Sequence, residues 1–101
     1  MLVVHAEFPI DPEHREAALE RIDSLVDASN EEEGMIDYRA ATDVQDPNLV
    51  RFTERYEDED AFFAHTQSEH FQAFEADLGQ YLAGEPEIVR FDVESATELD
   101  I

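Results

Sequence analysis

The sequence predicts an α+β fold in which two helices cover one face of a four-stranded antiparallel sheet, in the order β-α-β-β-α-β. Two observations lead to this prediction. Four segments alternate apolar and polar residues with the period of two that is typical of half-buried strands, and two others repeat apolar residues at helical spacing. Turn-forming residues from Gln45 to Asn48 join the second and third strands as a hairpin.

The first strand is predicted over residues 2–9. Its alternation puts two sets of side chains on opposite faces of the sheet: Val4, Ala6 and Phe8 on one, and Val3, His5 and Glu7 on the other. The alternation alone does not decide which of these faces borders a pocket.

A helix follows, with Asp11 as its N-cap and Pro12 at the first helical position, where a missing N–H costs nothing. Its buried stripe is predicted from residues that recur at helical spacing: Ala18, Leu19, Ile22, Leu25, Val26 and Ser29. The run of residues 31–33, all Glu, is predicted to be the solvated end of this helix without a functional role. Gly34 is predicted to stop the helix.

The hairpin strands are predicted over residues 35–43 and 49–57. The first is expected to turn one set of side chains to the same face: Ile36, Tyr38, Ala40 and Thr42. Asp58 is the predicted N-cap of the second helix, and Ser68 is a point where that helix restarts. A connector over residues 79–84 leads to the last strand, over residues 87–93.

Elements in this order form a ferredoxin-like fold, here as a single domain over residues 1–101. The sheet face without helices is expected to carry a mixture of polar and apolar groups, among them His5, Glu7, Arg39, Arg90 and Asp92. Because a chain of 101 residues buries limited surface by itself, we expect this face to be covered in a homodimer.

The charge of the chain excludes two classes of partner. It has 27 acidic residues against 6 basic ones, all of them Arg, and a formal net charge of −21. Nucleic acids and anionic membranes are bound through basic patches, so neither is expected to bind. Molar salt shortens the screening length to roughly 3 Å and removes most self-repulsion, so this charge indicates a halophilic protein, and we expect a halophilic archaeon as its source.

Two features that the sequence lacks exclude further kinds of site and location. The chain has no Cys, which excludes disulfides, thiolate nucleophiles and Cys-based metal sites. Its first residues lack the basic and apolar regions of a signal peptide, and no apolar run approaches the roughly 18 residues of a membrane span. We therefore expect a soluble, cytoplasmic protein.

The residues with chemical potential lie between Phe52 and Phe74. His65 follows Phe62 by three positions and so lies near the buried stripe of its helix, where an imidazole can act as a general base or hydrogen-bond donor. Glu54 interrupts an apolar strand face, where a carboxylate is costly without a partner, and it is predicted to pair with His65 or Tyr38. The alternative for His65 is a structural histidine bonded to a backbone carbonyl or to Glu54.

No metal site is predicted. His65 and His70 are five positions apart, which on one continuous helix is about 140° past a full turn, so the two side chains point to different faces. A break at Ser68 would bring them closer.

The same segment carries a pattern that resembles the antibiotic biosynthesis monooxygenase family. The pattern is a strand ending in Glu-x-Tyr, an Asp cap, an Ala-Phe helix start, and a His followed by His-Phe. Its residues are Glu54, Tyr56, Asp58, Ala61, Phe62, His65, Ser68, His70 and Phe71.

The resemblance implies a dimeric α+β barrel with a pocket between sheet and helices in each subunit. Members of the family include cofactor-free oxygenases of quinol- or anthrone-like aromatics, haem-degrading enzymes and an isomerase of a phosphorylated, sugar-like signal. The position of the iron-ligating His of haem-degrading relatives falls on Glu75, which is not a haem ligand, so no cofactor is expected.

The resemblance therefore implies a cofactor-independent monooxygenase acting on a small aromatic or quinol-type compound. His65 is expected to be the base and Glu54 the residue that orients it. Six residues are expected to contact the substrate: Tyr56, Phe62, Phe71, His70, Tyr38 and His5. The alternatives are an isomerase or a non-catalytic ligand-binding member of the same fold, and a dimer whose pocket is filled by its own side chains.

Overall fold

The structure, a computed structural model, describes residues 1–101 and has the predicted architecture. Its elements are β1 (Leu2–Pro9), α1 (Arg15–Asn30), β2 (Met35–Asp43), β3 (Asp46–Tyr56), α2 (Glu59–Gln67), α3 (Glu69–Leu78) and β4 (Glu87–Asp92). The strands form one sheet in the order β2-β3-β1-β4, and every neighbouring pair is antiparallel. This confirms the ferredoxin-like α+β fold.

The helix starts follow the predicted caps. The Asp11 carboxylate accepts from the backbone N–H of Glu13, although the chain first forms a 3-10 turn over Pro12–His14 before α1 begins. Asp58 accepts from the N–H of Ala61 at the start of α2. Ser68 accepts from the N–H of Phe71 and divides the predicted second helix into α2 and α3.

Three local predictions are wrong. A register shift near the start of β2 separates Ile36 from the face of Tyr38, so Ile36 is exposed. The third strand begins at Asp46, so the turn is shorter than predicted. Gly34 does not stop α1, which ends at Asn30.

Gly34 instead makes a close approach between two segments possible. Its φ is +84°, in the left-handed region that favours glycine, and a Cβ there would lie 2.7 Å from the Cβ of Ala61 on α2. The carbonyl of Gly34 also accepts from the N–H of Glu57 at 2.9 Å. The loop after α1 is therefore held against the start of α2.

The core lies between the sheet and the helices. Val4, Ala6 and Phe8 face the helices, which identifies the buried side of β1. The predicted stripe of α1 packs against this face, with Ala18, Ile22, Leu25 and Ser29 buried. At the centre of the core, the rings of Phe8 and Phe52 pack edge to face, with 5.2 Å between their centroids.

The opposite face of the sheet is open to solvent in the single chain. His5 lies there, edge-on to the ring of Phe91 at 5.1 Å, and Val89 is exposed beside it. Arg90 and Asp92 were expected on this face, but pairing of β4 with β1 puts them opposite Val4 and Leu2 on the helix side. The homodimer stays a prediction.

No helix is long and apolar enough to cross a lipid bilayer.

Candidate functional site

A cavity of about 260 Å³ lies between the sheet and helices α2 and α3. Its walls are mostly apolar, with a small number of polar groups, as in small-molecule sites. The lining residues are Val4, Ala6, Phe8, Tyr38, Phe52, Glu54, Phe62, His65, Thr66, Phe71, Phe74, Glu75, Leu78, Ile88 and Arg90.

His65 combines a fixed orientation with a free ring nitrogen. It lies in the last turn of α2, is 1% exposed, and its Nδ1 is 2.8 Å from Oε2 of Glu32. Since an ionised carboxylate can only accept, we assign a proton to Nδ1. Nε2 is buried and has no hydrogen-bond partner in the protein. Burial lowers the pKa of His65, against the opposing effect of Glu32, which favours the neutral ring with its lone pair on Nε2.

Glu32 contacts the candidate site, which the sequence did not indicate. It was predicted to be solvated with its Glu neighbours, whereas its side chain is only 14% exposed and Oε2 also contacts Nε2 of His70. The prediction was wrong because Gly34 lets the loop approach α2, and because the break at Ser68 reorients His70. No periodicity in the sequence marks Glu32.

Glu54 does not have the predicted partner. Glu54 and Tyr56 are two apart on β3 and so project to the same face, where the Tyr56 hydroxyl donates to Oε1 of Glu54 at 2.6 Å. The partner that orients His65 is Glu32 instead. Burial raises the pKa of Glu54 to about 7, while the Tyr56 hydrogen bond lowers it and repulsion from Glu32 raises it. This carboxyl group can therefore gain or lose a proton near neutral pH.

The other predicted contact residues divide into two groups. Tyr38, Phe62 and Phe71 line the cavity as expected. Tyr56 is fully buried outside the lining, with its ring 5.2 Å from that of Phe62. His70 contacts Glu32 outside the cavity lining.

His5 is placed away from the site. The alternation of β1 turns Val4 and Ala6 to the cavity and His5 to the opposite sheet face, so the expectation that His5 contacts a substrate in this cavity is not met within the chain.

Arg90 is the cationic side chain in the cavity wall, although it was expected on the sheet face without helices. Its guanidinium lies 5.7 Å from the centre of the Phe62 ring and donates to both carboxylate oxygens of Glu59, at 3.1 and 2.9 Å, and to Asp92. Hydrogen bonds to these two carboxylates hold the pKa of Arg90 above its usual range.

Comparison with known proteins places this chain in a family. The family described as "Antibiotic biosynthesis monooxygenase" matches residues 1–77. A Bacillus subtilis (strain 168) protein named "Putative monooxygenase YcnE" is 33% identical over 93 residues, which are 92% of this chain and 98% of the relative.

Solved structures agree with this match. A conserved protein from Methanosarcina mazei Go1 is 28% identical, with a TM-score of 0.85 over 89% of both chains. A structure described as an antibiotic biosynthesis monooxygenase is 26% identical, with a TM-score of 0.87 over 94% of this chain and all of that one. The chain therefore belongs to the antibiotic biosynthesis monooxygenase family.

Proposed function

We propose that this protein is a cofactor-independent monooxygenase that oxidises a small phenol- or quinol-type aromatic compound in the cavity beside His65. The observation that carries the proposal is the unpartnered Nε2 of a buried imidazole whose Nδ1 is held by Glu32. The aromatic walls formed by Phe62 and Phe71 suit a flat apolar ligand. Family membership supports oxygenase chemistry, and the cavity supports the class of substrate.

In the proposed reaction, Nε2 of His65 accepts a proton from the substrate. Glu32 stabilises the resulting imidazolium through the Nδ1–H bond. The electron-rich substrate anion then reduces O₂. For an anthrone-type substrate, a CH₂ group becomes a carbonyl: one oxygen atom bonds to carbon, and the other leaves as water with the two hydrogens lost from carbon. The substrate supplies all the electrons.

Glu54 has a complementary role in this proposal. Its pKa near 7 keeps a substantial fraction of the carboxyl protonated at neutral pH, so it can donate a hydrogen bond to a substrate oxygen that gains negative charge. Tyr56 holds one carboxyl oxygen, Oε1, which leaves the other able to carry the proton. His65 and Glu54 thus form a base and a donor in the same cavity wall.

Oxygen uptake with anthrone and with 1,4-naphthohydroquinone tests the proposal, after subtraction of their spontaneous oxidation. Loss of a general base typically costs about 100- to 10,000-fold in rate, so His65→Gln should remove most of the catalysed uptake. His14→Gln is the matched control, because His14 is exposed on the 3-10 turn before α1.

Two results would count against this function. Equal rates for His65→Gln and the unchanged protein would show that His65 is not the base. Saturable binding of anthrone, followed by fluorescence, without catalysed oxygen uptake would instead assign the protein to the ligand-binding members of the fold.

A further inference from the structure

We propose that Glu32, His65 and His70 form a binding site for one divalent first-row transition-metal ion, with Zn²⁺ as the reference ion. The evidence for this site does not rest on the proposed oxygenase activity, which requires no metal, although both use Glu32 and His65. It is built from three separate segments: the loop after α1, the end of α2 and the start of α3.

The donor atoms converge on one point. Oε2 of Glu32 is 2.8 Å from Nδ1 of His65 and also contacts Nε2 of His70. All three donor atoms lie within 4.8 Å of one another. Ligands about 2.0–2.1 Å from a tetrahedral zinc ion are separated by about 3.4 Å, so small side-chain rotations suffice to bring these atoms to an ion.

The carboxylate of Glu32 is incompletely compensated. Oε2 faces two imidazole nitrogens, whereas Oε1 is buried without any hydrogen-bond partner. An unpaired buried carboxylate oxygen is costly, and a cation bound to this carboxylate would offset that cost.

The ligand types select the class of ion. Two imidazoles and one carboxylate suit zinc and its first-row neighbours, whereas Mg²⁺ and Ca²⁺ prefer oxygen ligands alone. Three protein ligands leave a further coordination position for water, as in open zinc sites. The side chain of His70 is 28% exposed and provides the path by which an ion enters.

Metal binding would change the cavity as well. An ion on Nδ1 of His65 displaces the proton from that nitrogen, and the neutral ring then carries its proton on Nε2. His65 would then donate into the cavity instead of accepting. We therefore expect the metal-bound protein to be a poorer base catalyst than the metal-free protein. Glu32 and His65 take part in proton transfer in the metal-free protein and bind the ion in the metal-bound one.

The test is calorimetric titration of the full chain with ZnCl₂, in molar KCl with excess Mg²⁺ to occupy surface carboxylates. We expect one tight Zn²⁺ per chain and a higher melting temperature, because the ion binds only the folded site. With Co²⁺, the visible absorption of a low-symmetry nitrogen and oxygen site should appear at the same stoichiometry.

Two variants and one control decide whether Glu32 and His70 are ligands. Loss of residues that merely support metal ligands costs about 10- to 100-fold in affinity, so Glu32→Gln and His70→Ala should each weaken Zn²⁺ binding by about 100-fold or more. Glu31→Gln is the matched control, because this exposed neighbour contacts neither histidine. Circular dichroism checks folding, and the half-exposed His70 gives a second variant if Glu32→Gln does not fold.

The proposal is overturned if Zn²⁺ binding disappears under excess Mg²⁺, or if His70→Ala binds Zn²⁺ as tightly as the unchanged protein. Neither result depends on oxygen uptake. A protein that binds Zn²⁺ at this site but oxidises no aromatic probe would refute the oxygenase and leave the metal site standing.

Discussion

Replacing Glu54 by Gln should make the stability of this protein less sensitive to pH. Glu54 is 7% exposed, and its pKa is raised from an ordinary value of 4.5 to about 7. Gln keeps an oxygen that can accept from the Tyr56 hydroxyl but has no proton to lose. The comparison therefore isolates the ionisation of one buried carboxyl group.

The sign follows from proton linkage. The folded state holds the Glu54 proton more tightly than the unfolded state does. The contribution of Glu54 to the free energy of unfolding is therefore fully present below pH 4.5 and is lost as the pH rises through about 7. One pKa unit corresponds to about 1.4 kcal/mol, so the rise in the pKa of Glu54 from 4.5 to about 7 stabilises the folded state at low pH by about 3 kcal/mol. About 2.5 kcal/mol of this loss falls between pH 5 and pH 8.

Urea unfolding followed by circular dichroism measures the effect, at pH 5, 6, 7 and 8 in the same molar KCl. The free energy of unfolding of Glu54→Gln relative to the unchanged protein should rise by about 2.5 kcal/mol across this range. Glu16→Gln, on the exposed face of α1, should show no such rise. Parallel pH profiles for Glu54→Gln and the unchanged protein would show that the pKa of Glu54 is not raised by folding.

Three other predictions concern the loop, the charge and the open sheet face. Gly34→Ala should lower the free energy of unfolding by about 2 kcal/mol or more, because the new side chain would have a positive φ and would contact Ala61. Adding Ala61→Gly should recover part of this loss. An unchanged free energy of unfolding for Gly34→Ala would contradict the structure of the loop. If the net charge of −21 reflects a halophilic protein, urea unfolding should show much greater stability in molar KCl than in dilute buffer, and equal stability would exclude it. Sedimentation in molar KCl should show a dimer. Phe91→Asp, on the open sheet face, should dissociate it, whereas Val44→Asp, in the exposed hairpin turn, should not. If the unchanged protein is a monomer, the homodimer prediction is wrong.

Most of the architecture could be predicted because its signals are local. A strand shows its buried face within a few residues, which is why Val4, Ala6 and Phe8 were grouped correctly. Helix caps are local too, and Asp58 and Ser68 accept the hydrogen bonds expected of them. The errors at Ile36 and Arg90 have a different origin, since a β-bulge and the register of an edge strand depend on pairing with another strand.

In the candidate site, too, local features were predictable and contacts between distant segments were not. The family pattern and the positions of His65 and Glu54 are visible in the sequence, because both residues interrupt apolar faces that have a regular period. Their hydrogen-bond partners depend on how the elements pack. His65 and His70 meet Glu32 across 33 and 38 positions of the chain, through a glycine that permits close approach and a helix break that turns one histidine toward the other. Periodicity describes neighbours along the chain, whereas these contacts depend on how separate elements pack.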